Sequence, residues 1–93
     1  MLKTKWLKRY RVKAGQTLLD IAEHFCVSAF LLAKINGLCE EVEAGQVLEI
    51  PDERGNAYIV REGDKKTLLC GSESAYERKN GTDVFYIGMR IIL

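Results

Sequence analysis

Cysteine is scarce in this chain of 93 residues, and the three cysteines that are present are an odd number. Cys26, Cys39 and Cys70 show neither CxxC spacing nor partnering histidines. A disulfide framework and a zinc site are therefore not expected, and reduced cysteines agree with synthesis in the cytosol. The sequence predicts no metal and no other cofactor.

The chain also lacks a strong charge of either sign and a long apolar run. Its formal net charge is +1, from 14 basic and 13 acidic side chains, so no overall field draws it toward nucleic acid or a membrane. No stretch approaches the roughly 20 apolar residues that cross a bilayer, and the basic start is not followed by the apolar run of a signal peptide. We expect no membrane span, no nucleic-acid partner and no export signal in this chain.

Basic residues are concentrated at the start of the chain, with aromatic residues among them. Those of the first 13 residues are Lys3, Lys5, Lys8, Arg9, Arg11 and Lys13, and Trp6 and Tyr10 lie between them. This pattern could bind a polyanion. We favour the interpretation that residues 1–9 are a solvated basic leader, which continues into the exposed face of a strand.

Hydrophobic residues make up 47 % of the chain and recur with strong local periodicity, which favours a folded domain. Residues 10–13 alternate apolar and polar, as in a half-buried strand. Thr17 then stands at a helix N-cap position. The apolar residues that follow it at helical spacing are Leu18, Ile21, Ala22 and Phe25.

A second helix is predicted after the Ser28 cap, and Asn36 and Gly37 provide its C-terminal stop. Residues 47–50 then form a second short strand, which Pro51 closes. The predicted fold class is therefore α+β, a β-α-α-β module. We expect its two strands to pair antiparallel, with both helices on one face.

After a polar linker, residues 52–57, the pattern returns in a shortened form. The interval between the first strand and the serine cap is four residues shorter in the second copy, which is about one helical turn. Residues 58–93 are therefore predicted to have a shortened first helix. Because units of this size bury little surface, we expect the two to pack against each other.

Short motifs run through residues 10–51 at regular positions. They are Tyr-x-Val-x-x-Gly-x-Thr-Leu, then Ile-Ala, Phe, Val-Ser, Leu, Asn-Gly, and Gly-Gln-x-Leu-x-Ile-Pro. In this order and spacing they resemble a LysM domain, and the resemblance covers residues 10–51 completely. Residues 58–93 are similar only at their ends, and we interpret them as a degenerate LysM repeat.

The resemblance implies a binding module without catalysis, which recognises N-acetylglucosamine-containing polysaccharides, chiefly peptidoglycan and chitin. It implies a groove between the loop after the first strand and the loop before the second. The glycan-binding residues that it assigns are Gly15, Gln16, Thr17, Leu18, Asn36, Gly37, Leu38 and Cys39. Backbone groups at a helix start can bond an acetamido group, while Leu18 and Leu38 offer apolar contact. The family function implies a location at the cell wall or a spore, and without it we expect a cytoplasmic protein.

Three positions depart from the family pattern. Gln16 stands where the family usually has Asp, so a charge is lost. Cys26 stands where the family often has Gly, and a residue with a side chain is expected to avoid a positive φ there. In the second repeat Lys65 replaces the threonine, so a complete groove is not expected in that repeat.

The remaining polar candidates favour no catalytic residues. The acidic residues Glu40, Glu41 and Glu43 occupy one loop, and simple solvation explains them better than paired acid and base chemistry. His24 has no nucleophile or metal-ligand partner in the pattern and is interpreted as a surface residue. Asn36 and Asn80 are expected to fix the loops after their helices. We therefore predict that the chain is not an enzyme.

Phe30 lies where a LysM helix is usually polar, and it makes the second helix apolar on more than one face. Our hypothesis is that Phe30, with Tyr76 or Phe85, belongs to an interface between the two units or to a homodimer. This leaves open an alternative function, an adaptor for protein contacts in a spore-coat, cell-envelope or phage-like assembly. A further possibility is that the chain is a piece of a longer protein, which would explain the missing export signal.

Overall fold

The computed structural model describes residues 8–93, which form two β-α-α-β units. The elements of the first unit are β1 (Lys8–Arg11), α1 (Leu18–Phe25), α2 (Ala29–Ile35) and β2 (Val47–Ile50). Those of the second unit are β3 (Ala57–Ile59), α3 (Lys66–Cys70), α4 (Glu73–Asn80) and β4 (Arg90–Ile92). The predicted α+β class with antiparallel two-stranded sheets is confirmed.

Each unit has its own two-stranded sheet. In the first, β1 pairs antiparallel with β2, and Lys8 lies opposite Ile50. Lys8 and Arg9, which were predicted as part of the leader, thus pair with β2 in the sheet. The rest of the predicted leader, with Lys3, Lys5 and Trp6, lies outside the described residues. In the second sheet β3 begins at Ala57, one position inside the predicted linker.

The core of the first unit is built on the predicted apolar stripe of α1. Ile21 and Ala22 are completely buried, and Leu18 and Phe25 pack partly buried beside them. Thr17 caps the helix, because its hydroxyl accepts from the Asp20 N–H at 3.1 Å while the Asp20 carboxylate accepts from the Thr17 N–H at 2.9 Å. The other buried core residues are Val12, Val27, Leu32, Val42, Leu48 and Ile50.

Cys26 ends α1 in the left-handed conformation, with φ 60° and ψ 41°. The expectation that a residue with a side chain avoids a positive φ here was therefore wrong. The Val27 N–H donates to the Ala22 carbonyl at 3.0 Å, and the Cys26 N–H donates to the Glu23 carbonyl at 3.3 Å. Such a helix closure requires a left-handed residue, and the chain needs it to turn directly into α2.

Tyr76 belongs to the buried core of the second unit with Val60, Met89 and Ile91, and Phe85 packs partly buried against it. Tyr76 is completely buried, and its ring meets Phe85 edge-on at 5.4 Å between centroids. The Tyr76 hydroxyl donates to the Val84 carbonyl at 2.6 Å, and burial raises the pKa of Tyr76 to about 12. The complete burial of Tyr76 assigns its ring to the core of this unit, while the hypothesis of an interface that includes Phe30 and Phe85 stays a prediction.

An asparagine joins the second helix to the second strand in both units. The Asn36 side chain donates to the Glu49 carbonyl and accepts from the Glu49 N–H, both at 2.8 Å. Asn80 does the same with Ile92, at 3.1 and 2.8 Å. This equivalence favours the interpretation of residues 58–93 as a degenerate repeat, which remains a prediction.

The two units contact each other where the start of α2 meets the end of α4. The Ser28 hydroxyl donates to the Asn80 carbonyl at 2.7 Å, and the Arg90 guanidinium donates to the Val27 carbonyl at 3.0 Å. Gly81 lies directly against the backbone of Leu31. The units therefore pack together as expected from their size, and Phe30 remains 45 % exposed.

Candidate binding groove

An open groove of the first unit lies between the start of α1 and the loop that connects α2 to β2. The first loop, residues 12–17, connects β1 to α1, and the second loop, residues 36–46, connects α2 to β2. The groove has a volume of about 290 Å³. Its lining residues are Leu18, Ala33, Leu38, Cys39, Glu40 and Glu41. It is bounded by the start of α1, the last turn of α2 and the first half of the second loop.

The structure brings together three of the eight predicted site residues as lining residues of this groove. Leu18 comes from the first predicted wall, and Leu38 and Cys39 come from the second. Leu18 and Leu38 also pack partly buried against the core of the unit, so the apolar floor of the groove is held by the fold. The remaining predicted residues do not line the groove. They are Gly15, Gln16, Thr17, Asn36 and Gly37.

Gln16 uses its side chain to shape the first loop. Its amide oxygen accepts from the Tyr10 hydroxyl at 2.8 Å and from the Lys13 N–H at 2.9 Å. Gly15 lies inside the same turn, which the hydrogen bond from the Gln16 N–H to the Lys13 carbonyl closes at 3.1 Å. These contacts assign Gln16 and Gly15 to the geometry of the loop.

Thr17, Asn36 and Gly37 also have structural contacts. The Thr17 hydroxyl caps α1, and the Asn36 amide bonds the backbone of β2 in both directions. Gly37 follows with φ 62°, a left-handed conformation that starts the second loop after the helix. These residues position the walls of the groove, and the side chains of Thr17 and Asn36 are committed to the fold.

Three lining residues, Ala33, Glu40 and Glu41, were not predicted as site residues, and Glu41 makes two hydrogen bonds at the groove. Its carboxylate oxygen Oε1 accepts from the Leu18 N–H at 2.7 Å and from the Val42 N–H at 3.0 Å. The interpretation of Glu41 as simply solvated is therefore corrected. The first N–H groups of a helix have no partner inside it and favour a nearby negative charge. The sequence predicts that α1 begins with such N–H groups, but it does not show which acidic side chain accepts from them.

This contact also changes what the groove offers to a ligand. The expected backbone donor at the start of α1, the Leu18 N–H, is already bonded to Glu41. The Leu38 N–H is likewise bonded, to the Ala33 carbonyl at 3.0 Å. The groove therefore presents apolar side chains together with carboxylate acceptors.

An apolar depression of about 250 Å³ adjoins the groove. It is lined by Leu18, Ala29, Phe30 and Ala33, and it shares Leu18 and Ala33 with the groove. Ala29 and Phe30 thus extend the apolar floor of the groove along α2.

The second unit differs from the first at the corresponding place. Lys65, at the N-cap of α3, makes no side-chain capping bond, and α3 has only five residues. A cavity of about 210 Å³ in this unit is lined by residues from its helices and the end of the described chain. They are Leu69, Cys70, Ala75, Arg78, Lys79 and Leu93. This cavity does not include the loop that precedes α3.

Across residues 8–93, no helix combines the length and apolar character needed to cross a membrane. In the same residues, no group of three or more His, Cys, Asp or Glu side chains is arranged to hold a metal ion.

Comparison with known proteins gives a family match for the first unit. The family model described as LysM domain matches residues 10–51. No curated protein sequence matches the chain.

Two solved structures are similar to most of the chain. The spore cortex-lytic enzyme SleL of Bacillus megaterium QM B1551 is 25 % identical, with a TM-score of 0.47, over 94 % of this chain and 22 % of that one. The spore cortex-lytic enzyme SleL of Bacillus cereus is 20 % identical, with a TM-score of 0.47, over 95 % of this chain and 23 % of that one. This chain therefore spans less than a quarter of either enzyme.

Proposed function

Residues 10–51 are a LysM domain, and from this premise we propose that the protein is a non-catalytic module that binds glycans containing N-acetylglucosamine. Peptidoglycan and chitin-like oligomers are the ligand class, and the cell wall or a spore is the place of action. The observation that supports this proposal is that Leu18, Leu38 and Cys39, from both predicted walls, line one open groove.

The chemistry of the groove suits an N-acetylated sugar. The side chains of Leu18 and Leu38 offer apolar contact to the acetamido methyl group and to the C–H face of the ring. The Glu41 carboxylate, which has about four lone-pair positions, is an acceptor for sugar hydroxyls or the acetamido N–H. The ligand thus meets apolar contact on the floor and acceptors on the rim.

The proposal is tested by filling the groove. Ala33 lies in the floor and on α2, so Ala33→Trp should occupy the space of the ligand. We expect at least a tenfold loss of affinity for N-acetylglucosamine oligomers, measured by calorimetry and by NMR titration. In the wild-type protein, shifts should appear at Leu18, Leu38 and Cys39.

Lys34→Trp is the matched control, because Lys34 is the next residue of the same helix, is exposed and does not line the groove. It should bind as the wild type does. The proposal is wrong if the wild-type amide spectrum is unchanged at millimolar oligomer, or if both tryptophan variants lose affinity equally.

A second candidate function is an adaptor in a spore-coat, cell-envelope or phage-like assembly. One observation favours it: the Phe30 side chain is 45 % exposed in an apolar depression. Exposed aromatic residues beside small apolar ones are typical of protein contacts, and we take a second copy of this chain as the partner.

Sedimentation of the wild type and of Phe30→Glu tests this second function. The adaptor function is supported if the wild type is a dimer and Phe30→Glu is a monomer. If the wild type is itself a monomer, the proposed homodimer is refuted. Leu19→Glu is the control, because Leu19 is 48 % exposed but lies outside the depression.

A further inference from the structure

Glu41 connects the second loop to the start of α1 across the groove. It belongs to the second loop, yet its carboxylate accepts from the N–H of Leu18, which is 23 positions earlier and begins α1. The same oxygen accepts from the Val42 N–H of its own loop. Two backbone donors therefore hold this carboxylate in place on the rim of the groove.

The charge of the groove has one sign. Among the residues that line it, the charged ones are Glu40 and Glu41, and both are acidic. No lysine or arginine is among these lining residues. A ligand in the groove therefore meets hydrogen-bond acceptors and negative charge, and it meets no cation that would bind a carboxylate.

From this arrangement we propose that Glu41 determines the specificity of the groove, so that it selects neutral oligomers of N-acetylglucosamine over muropeptides that carry carboxylates. The inference rests on the proposed glycan-binding function. A neutral oligomer presents hydroxyl and acetamido N–H donors, which the Glu41 carboxylate accepts. A muropeptide adds the carboxylates of its stem peptide, which Glu40 and Glu41 repel.

The size of this discrimination follows from the exposure of the site. Charges a few ångströms apart at a protein surface interact far less strongly than buried ones, so we expect a roughly three- to tenfold preference. Salt screens surface charges, with a Debye length of about 10 Å at 0.1 M ionic strength. The preference should therefore weaken as salt is added, whereas binding of the neutral oligomer should not.

The experiment compares two ligands on the full chain by calorimetry. One is the tetramer of N-acetylglucosamine, and the other is the N-acetylglucosaminyl-N-acetylmuramyl tetrapeptide. Glu41→Gln keeps an amide oxygen for the Leu18 N–H and removes the charge. We expect muropeptide affinity to rise roughly three- to tenfold, and oligomer affinity to stay within about twofold.

Two further variants separate charge from structure. Glu43→Gln removes the same charge from the same loop, but Glu43 does not line the groove, so neither affinity should change. Glu40→Gln removes a lining charge without touching the bonds to Leu18 and Val42. Glu40→Gln should shift the preference in the same direction as Glu41→Gln. It therefore tests the role of charge even if Glu41→Gln folds poorly, as judged by a thermal melt.

The outcomes distinguish this inference from the function on which it rests. If the wild type binds neither ligand, the glycan-binding function fails and the inference fails with it. If the wild type binds both ligands equally and at all salt concentrations, the function stands and the inference is overturned. It is also overturned if Glu41→Gln changes both affinities by the same factor, because the residue then acts only as a loop contact.

Discussion

At the exposed end of α1, Cys26 has a backbone conformation that favours glycine. A residue with a side chain in the left-handed region is destabilised by roughly 1–2 kcal/mol. Its side chain is exposed, so no packing compensates for this cost. The helix closure therefore imposes on Cys26 a backbone conformation that is unfavourable for a residue with a side chain.

Replacing Cys26 with glycine should stabilise the protein. We expect the free energy of unfolding to rise by roughly 0.5–1 kcal/mol, because glycine relieves the left-handed strain but adds freedom to the unfolded chain. Urea denaturation measures the change. Cys26→Ala keeps a side chain at the same φ and should have little effect, and equal stabilisation by both variants would contradict the strain.

The roles of Thr17 and Gln16 were not equally predictable from the sequence. Thr17 was predicted as a helix cap, and the structure confirms it, because a cap depends on neighbours in the chain. The first-loop position of Gln16 was predicted as a ligand contact, yet its amide oxygen bonds Tyr10 and Lys13. A side chain can satisfy a turn or a ligand, and composition alone does not distinguish these uses.

At the scale of elements, the turn before the first helix is built in the same way in both units. Asp64 accepts from the Tyr58 hydroxyl at 2.7 Å and from the Arg61 N–H at 2.8 Å, as Gln16 does with Tyr10 and Lys13. The pKa of Asp64 is lowered, chiefly by the hydrogen bond from the Tyr58 hydroxyl and secondly by the one from the Arg61 N–H. The same Tyr58 bond raises the pKa of Tyr58.

These pKa shifts make the stability of the second turn depend on pH. Because the folded pKa of Asp64 is lowered, its stabilisation is present above the ordinary value of 3.8 and is lost as pH falls through the folded pKa. Because the folded pKa of Tyr58 is raised, its contribution is present below the ordinary value of 10.0 and is lost as pH rises through the folded pKa.

An NMR pH titration in acid checks this prediction. The amide signal of Arg61, which is bonded to Asp64, should move as the pH falls below 3.8. The amide of Lys13, bonded to the neutral Gln16, should move much less. Asp64→Asn should abolish the Arg61 titration, and a titration that persists in this variant would refute the assignment.

Much of the element order was predictable, since helix periods, caps and strand alternation are local. The shortened helix of the second unit followed from the spacing alone, and α3 has five residues where α1 has eight. The strand boundaries were less predictable. Lys8 and Ala57 join their sheets because the partner strands provide backbone hydrogen bonds there, and the sequence does not show how far a partner extends.

At the scale of the whole molecule, the close approach of Gly81 to α2 joins the two units. A Cβ at Gly81 would lie 2.5 Å from Leu31 Cα and 2.8 Å from Leu31 N. These are backbone atoms of a helix, so no rotamer change can relieve the contact. Gly81 is also left-handed, with φ 69°.

Gly81→Ala should therefore destabilise the protein strongly. We expect a loss of about 3 kcal/mol in the free energy of unfolding, from overpacking together with left-handed strain. Gly37 is the matched control, because it follows Asn36 as Gly81 follows Asn80 and has φ 62°, but a Cβ there would meet nothing within 4 Å. Gly37→Ala should cost about 1 kcal/mol. Equal losses in chemical denaturation would show that the contact between units adds nothing.

The sequence by itself determined the α+β class, the order of the elements, the shortened helix and the LysM family of residues 10–51. These rest on interactions between residues close together in the chain. The tertiary structure alone decided that Glu41 meets Leu18, that Tyr76 fills a core and that Ser28 bonds Asn80, 52 positions away. Such contacts depend on how far apart the packed helices and sheets hold their loops, and no local pattern encodes that distance.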